Sequence, residues 1–140
     1  INRVPYSGVL SYKSLPPLHT LNRPMLPLED DLMRGNGFSS HHADYLFTNQ
    51  RMLNTIHSSM LATSYHILQI ADYDVATILP FELRQRRPVF QNNRFSQIRF
   101  GSQVELIIPL SDRFDYELLV PDTWHVEAGL DAIVKLLPRF

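Results

Sequence analysis

The chain contains no cysteine among its 140 residues. Disulfide frameworks, thiolate zinc sites and cysteine nucleophiles are therefore excluded. The chain also lacks an excess of either charge, because it has 13 Lys and Arg residues and 14 Asp and Glu residues. Proteins that bind nucleic acid usually carry a strongly basic face, so this balance argues against nucleic acid as the partner. The sequence also lacks the run of about 18 apolar residues that predicts a transmembrane helix.

Glycine is scarce and proline is frequent, with five and ten residues respectively. Prolines spread through the chain disfavour long helices. Segments rich in Val, Ile, Tyr and Thr predict strands, since these side chains suit a pleated surface. These segments are 4–12, 51–57, 60–71, 73–79, 95–100 and 104–110. We therefore predict one mainly β domain over 1–140, with antiparallel sheets in a sandwich-like or barrel-like arrangement and at most one short helix.

Three regions between these strands have weaker patterns. Residues 15–37 are rich in proline and are predicted to be a loop, and 81–88 is a charged connector. The loose alternation over 95–100 favours an edge strand. The tail is ambiguous, because Leu130, Ile133, Val134 and Leu137 share one helical face while 126–134 also fits two strands joined by a glycine turn.

The pair Gly101-Ser102 lies inside "FSQIRFGSQVELIIPL" (95–110), where two strand-like runs meet. One interpretation is an ordinary turn in which Gly101 supplies a positive φ. In the other, the Ser102 hydroxyl attacks the Gly101 carbonyl carbon, which no Cβ shields, and an ester replaces the amide. β-Elimination then splits the chain, and hydrolysis with loss of ammonia leaves a pyruvoyl group. Such a carbonyl condenses with a substrate amine and accepts electrons as CO2 leaves.

Four segments resemble the phosphatidylserine decarboxylase family. The run "NNRFSQIRFGSQVELIIP" (92–109) is similar to the family's self-cleavage segment. "VPYSGVLSYKSLPPLHTLNRP" (4–24) resembles its Pro-x-x-Gly strand, which leads to a proline-containing loop and an Asn. "LFTNQRMLNTIH" (46–57) looks like its Asn-Glu-Arg strand, and "SYHILQIADYDVATI" (64–78) occupies the place of its glycine-rich strand pair. The similarity covers most of the chain as successive short matches.

The resemblance implies a pyruvoyl-dependent decarboxylase that converts phosphatidylserine to phosphatidylethanolamine and CO2. Ser102 would be both the self-cleavage nucleophile and the precursor of the covalent pyruvoyl cofactor, and Gly101 would hold the scissile carbonyl. The β-subunit-like part would be 1–101 and the α-subunit-like part 102–140. The implied partners are a phospholipid surface on the cytoplasmic side of a membrane, the cleaved subunit and, in a homodimer, a second copy; no metal is implied.

Several positions depart from the family pattern. Arg3 occupies the place of a histidine that is thought to act as acid or base, Ala71 and Ala76 replace glycines, and Gln103 follows the serine. The chain opens on Ile rather than Met, which predicts a processed product or a fragment. Three explanations stay open: another histidine substitutes, the missing group lies upstream, or the chain is a noncatalytic domain that binds a lipid or a protein.

His66 is the candidate replacement acid or base, and a structural histidine on an apolar strand is its alternative. The triplet His41-His42-x-Asp44 has metal-ligand residue types. Neighbours on an extended segment point to opposite sides, however, so a solvated loop is the better prediction.

Arginines supply the candidate substrate-binding groups. Arg84 and Arg87 of the connector, with Arg3, are candidates for the phosphate of a lipid head group, since guanidinium binds phosphate through paired hydrogen bonds. A solvated charge run is the alternative. Three aromatic residues near the polar loop are candidates either for contact with a bilayer interface or for the core. They are Phe38, Tyr45 and Phe47.

Overall fold

The computed structural model describes residues 1–19, 21–36, 42–73, 78–98 and 102–140. Strands hold 43% of these residues and helices 9%, and the sheets are antiparallel, which confirms the predicted fold class. The strands of the described part are β1 (Asn2–Arg3), β2 (Gly8–Leu15), β3 (Arg51–Ser58), β4 (Thr63–Ala71), β5 (Ile78–Pro80), β6 (Arg87–Val89), β7 (Arg94–Ile98), β8 (Ser102–Ile107), β9 (Phe114–Leu118) and β10 (Val134–Pro138). Its helices are α1 (Leu26–Met33) and α2 (Tyr45–Thr48).

The larger sheet has five strands in the order β6-β2-β3-β4-β8, and every neighbouring pair is antiparallel. Burial alternates along β3, as expected for a strand with one well-covered face. The face that carries Leu10, Ile56 and Tyr65 packs against Phe95 of the smaller sheet and forms the main core. We call it the inner face and the opposite one the outer face.

The smaller sheet has the order β1-β7-β5, so β7 is its central strand. The prediction of an edge strand over 95–100 is therefore wrong for the described residues 95–98. Phe95 and Ser96 are both buried, because β7 is flanked by a strand on each side and packs on the larger sheet. The sequence pattern was loose since neither side of this strand faces solvent fully.

Two short helices cover part of the outer face, where at most one helix was predicted. α1 lies within 15–37, which was predicted to be a loop because of its prolines. Pro27 falls in the first turn of α1, where the missing N–H is not needed. The helix is held by burial of Leu28, which packs with Met25, Tyr45 and Ile70.

The C-terminal segment forms a separate two-stranded sheet of β9 and β10. The helical alternative for the tail is wrong, since Val134–Pro138 is a strand. Gly129 adopts a positive φ of 84° in the turn before it, but the partner of β10 is β9 rather than a strand directly before that glycine. No residue from 102 to 140 is buried.

Candidate functional site

Ser102 is the first residue of β8 and is exposed. Its Cα partner across the strands is Ala71, the last residue of β4. Partners in an antiparallel pair share a face, and Ala71 packs with Met52 and Ile78, so the Ser102 side chain belongs to the inner face. Gly101 lies outside the described residues. The neighbours of Ser102 therefore come from the end of β4 and the segments that contact it.

A buried asparagine joins three backbone segments beside Ala71. Asn49 is 0% exposed, and its Oδ1 accepts a hydrogen bond from the Arg23 N–H at 2.7 Å. Its Nδ2 donates to the carbonyls of Arg23 and Ala71, both at 2.8 Å. A neutral side chain whose donors and acceptor are all used serves to fix backbone rather than to transfer protons.

A second asparagine repeats this arrangement next to the first. Asn22 Oδ1 accepts from the Gln50 N–H at 2.9 Å, and Asn22 Nδ2 donates to the Asp72 carbonyl at 3.2 Å. The Asp72 carboxylate accepts the Met25 N–H at 3.0 Å. We call Asn22, Asn49 and Asp72 the asparagine corner. It holds the end of β4, and with it the backbone opposite Ser102.

A tyrosine reaches β8 from the outer face. The hydroxyl of Tyr45, a residue only 2% exposed, donates to Gln103 Oε1 at 2.6 Å. Gln103 Nε2 in turn donates to Glu105 Oε1 at 2.9 Å. Burial, and then the charges of Glu29, Glu105 and Asp72, raise the pKa of Tyr45 above its ordinary value. The phenol therefore stays protonated and acts as a donor at neutral pH.

His66 and Ser102 are not brought together. His66 pairs with Ile107, five residues along β4 from Ala71, which pairs with Ser102. Side chains alternate between the two faces along a strand, so a shift of five residues places the His66 and Ser102 side chains on opposite faces. The two positions are about 17 Å apart along the strand direction. His66 Nδ1 shares a hydrogen bond with the Thr55 hydroxyl at 3.0 Å, as a structural histidine of a sheet surface does.

Arg3 lies beside a cavity rather than beside Ser102. Its Nη1 donates to the Asn92 carbonyl at 3.0 Å, and it makes no ion pair within the described ranges. It lines a cavity of about 790 Å³ between the N-terminal segment, the inner face and the C-terminal strands. Val104 and Leu106 line this cavity and share their face with Ser102, which is not itself a lining residue.

Arg84 and Arg87 lie at the other edge of the larger sheet. Both contact the Glu82 carboxylate, at 3.5 Å and 3.4 Å respectively. Arg87 is 9% exposed, and its buried Nε has no hydrogen-bond partner among the described residues. β6 and β8 are the two edge strands, four strand spacings or about 19 Å apart along the sheet. These arginines are therefore not brought to Ser102.

The remaining candidates also have structural contacts where they are described. His42 Nδ1 lies 2.5 Å from Asp31 Oδ2, and Asp44 pairs with Arg23 at 3.2 Å. No cluster of three metal-ligating side chains occurs within the described ranges. Tyr45 is a core residue, whereas Phe47 is 68% exposed. His41 and Phe38 lie outside the described residues.

Comparisons of the chain with family models, with curated proteins and with solved structures find no match. The resemblance therefore stays at the level of motifs. Asn22 and Asn49 lie in two of the resembling segments, and the sequence does not predict that they meet. It placed Tyr45 near the polar loop but did not predict its bond to Gln103. The one local signal was an Asn close before an Arg in both "LNRP" and "TNQR".

Proposed function

We propose that the chain is a pyruvoyl-dependent decarboxylase of the phosphatidylserine decarboxylase type. The supporting observation is a convergence: Asn22, Asn49 and Ala71 come from three of the resembling segments and meet at the end of β4, where Ala71 is the cross-strand partner of Ser102 from the fourth. Segments 4–24, 46–57 and 64–78 are distant in sequence from 92–109. These segments meet at the end of β4, opposite the start of β8 at Ser102. A site shared by the four segments requires such a meeting.

Self-cleavage in this proposal uses only the chain's own atoms and water. The Ser102 oxygen attacks the Gly101 carbonyl carbon, the C–N bond breaks, and the freed amine takes the hydroxyl proton. Loss of the Ser102 α-proton and breakage of its Cβ–O bond release a Gly101 carboxylate. Water then replaces nitrogen at the Ser102 α-carbon, and ammonia leaves. The resulting carbonyl supplies an electron sink for decarboxylation of an amine-bearing substrate.

The surroundings of Ser102 fit this role. Ser102 is exposed at a strand start, and the side chain opposite is the small Ala71. A group formed at Ser102 would remain the first residue of β8, which is held to β4 at six cross-strand positions. A substrate would therefore reach the group from solvent while its attachment stays fixed by the sheet.

A noncatalytic lipid- or protein-binding domain is the second candidate. The observation that favours it concerns acid–base groups: in the described ranges, no histidine hydrogen-bonds to Ser102, Gln103 or Ala71. His66 lies on the opposite face, and Arg3 stands at the family's histidine position. An unassisted serine hydroxyl is a weak nucleophile, so this arrangement would leave the backbone intact.

Peripheral membrane association belongs to the same proposal. No helix of the described residues is long and apolar enough to cross a bilayer. Large apolar side chains are exposed on and beside the helices of the outer face. They are Leu18, Leu21, Leu26, Leu32, Met33 and Phe47. An apolar surface of this kind fits the interface of a lipid membrane, where a phospholipid substrate would be found.

The test is scission of the chain itself. The purified protein is run on a denaturing gel and weighed by intact mass, beside Ser102→Ala. We expect the parent to yield pieces 1–101 and 102–140, with the second blocked to Edman degradation. Borohydride and phosphatidylserine should add mass to that piece. Ser102→Ala should stay whole, because it has no hydroxyl to attack.

The matched control is Ser14→Ala, which removes a hydroxyl from another exposed strand serine, on β2. It should be cut like the parent. If the parent, Ser14→Ala and Ser102→Ala all run as one uncut band, the decarboxylase proposal fails and the binding domain is favoured.

A further inference from the structure

The short helix α2 contacts the Ser102 region on two sides. Tyr45, its first residue, donates to the side chain of Gln103, which directly follows Ser102. Asn49, which ends the helix, donates to the carbonyl of Ala71, the partner of Ser102. The Asn49 N–H donates to the Tyr45 carbonyl at 3.1 Å, so the two residues form one hydrogen-bonded turn. We call Tyr45 and Asn49 the α2 clamp.

Gln103 is held at both ends of its amide. Its oxygen accepts from Tyr45 at 2.6 Å, and its nitrogen donates to Glu105 at 2.9 Å. An amide fixed at both ends loses rotational freedom, and this restricts the backbone to which it is attached. Ser102 is the adjacent residue, so its orientation depends on this contact.

The Tyr45 end of the contact is buried and closely packed. Tyr45 packs in a buried cluster with Met25, Leu28 and Ile70. Ile70 is also the cross-strand partner of Gln103, so the ring and the strand rest on the same outer-face side chain. A donor that cannot move sets the position of its acceptor more narrowly than a mobile surface group does.

We propose that Tyr45 is a positioning residue for Ser102, acting through Gln103. The inference rests on the proposed function and deepens it. The clamp fixes both the residue after Ser102 and the residue opposite it, and so limits the backbone motion of the attacking serine. Attack on a neighbouring carbonyl is sensitive to small displacements of the reacting atoms. The Tyr45 hydroxyl should therefore control the rate of scission without contacting the reacting atoms.

The experiment compares Tyr45→Phe with Tyr65→Phe in the full chain. Tyr65 is also buried, and its hydroxyl also binds backbone, since it donates to the Tyr6 carbonyl at 2.5 Å and accepts the Tyr6 N–H. It lies near the opposite end of β4, six residues from Ala71. Both changes remove one buried hydroxyl, and only one of them touches the clamp.

Two quantities are measured: the rate of scission and the amide hydrogen exchange of 102–105 relative to 51–58. We expect Tyr45→Phe to slow scission about tenfold, the effect of one hydrogen bond on a barrier, and to speed exchange at 102–105. Tyr65→Phe should leave the rate of scission and the relative exchange of 102–105 at the parent values. Gln103→Met, which removes the acceptor and also the bond to Glu105, should slow scission at least as much as Tyr45→Phe, and the double variant should be no slower than Gln103→Met.

The outcomes separate the clamp from the proposed function. Parent-like scission and exchange in Tyr45→Phe overturn the clamp, as do fully additive effects in the double variant. If the parent chain stays whole, the proposed function fails and exchange alone decides. Faster exchange at 102–105 in Tyr45→Phe then upholds the positioning contact, and unchanged exchange overturns it.

Discussion

At the scale of single residues, Gly8 lies so close to the neighbouring strand that no larger residue fits at this position. A Cβ at this position would lie 2.4 Å from the His57 carbonyl oxygen and 2.7 Å from Ile56 Cγ2. The first of these atoms is backbone and cannot rotate away. The glycine of the Pro-x-x-Gly segment is thus needed for the contact between β2 and β3, independently of any chemistry at Ser102.

We predict that Gly8→Ala lowers the free energy of unfolding by about 3 kcal/mol, since overpacking against backbone forces strands apart. Gly35→Ala is the matched control. Gly35 has a φ of 75° with open space around the position, so alanine meets only the backbone preference, about 1 kcal/mol. Urea unfolding of both variants measures the difference. Equal losses would contradict the steric explanation.

The arginines illustrate what residue-scale sequence reasoning misses. Arg84 and Arg87 lie in a charged connector, and the sequence left phosphate binding and a solvated charge run both open for them. In the fold, Glu82 pairs with both, and Arg87 lies on the inner face opposite Leu10. Whether a charge faces solvent depends on which strand its backbone joins, and a short strand such as β6 gives little local signal.

At the scale of elements, the helices of the outer face combine a buried side with an exposed apolar side. Leu28 packs inward, while Leu26 is 68% and Met33 is 88% exposed. Two acidic residues of α1 have partners, because Asp30 forms an ion pair with Arg34 and Asp31 contacts His42. Exposed apolar side chains enter a membrane interface more readily when neighbouring carboxylates have partners, because an unpaired carboxylate is repelled by anionic lipid head groups.

We predict that the protein sediments with vesicles of phosphatidylcholine and phosphatidylserine. The double change Leu26→Ser and Met33→Ser should reduce the bound fraction several-fold, because it removes apolar area that would enter the interface. Leu110→Ser is the matched control, since Leu110 is 95% exposed but lies in the C-terminal segment. Equal binding of all three proteins would rule out the helices as the contact.

At the scale of the whole molecule, one strand of the C-terminal segment pairs with the larger sheet. β8 pairs with β4 at six positions, whereas β9 and β10 pair with each other. A two-stranded sheet alone is marginally stable in water. Since no residue from 102 to 140 is buried, we expect the β4–β8 pairing to contribute most to the retention of this segment.

We predict that pieces 1–101 and 102–140 stay together once the chain is cut and separate only in denaturant. Gel filtration measures this. Glu105→Pro, at the position opposite Leu68 in β8, should release the smaller piece because proline cannot donate to the β4–β8 ladder. Lys135→Pro in β10 is the control and should release nothing. Release by both changes would show that the C-terminal strands contribute to the attachment.

The amino-acid sequence by itself determined the strands with strong local signals. β3 and β4 fall close to the predicted 51–57 and 60–71, because β-branched and aromatic residues there leave no other regular structure favourable. It also excluded cysteine chemistry and singled out Ser102 as the residue with a distinctive reaction open to it.

Only the tertiary structure decided which side chains meet. Pairing of β4 with β8 placed His66 and Ser102 on opposite faces, and packing of α2 brought Tyr45 to Gln103. Asn49 binds the backbone of Arg23, which lies 26 residues away in the sequence and directly follows Asn22. Local propensity reports only on neighbours along the chain. Contacts between distant segments depend on register and face, which the packed sheets set together.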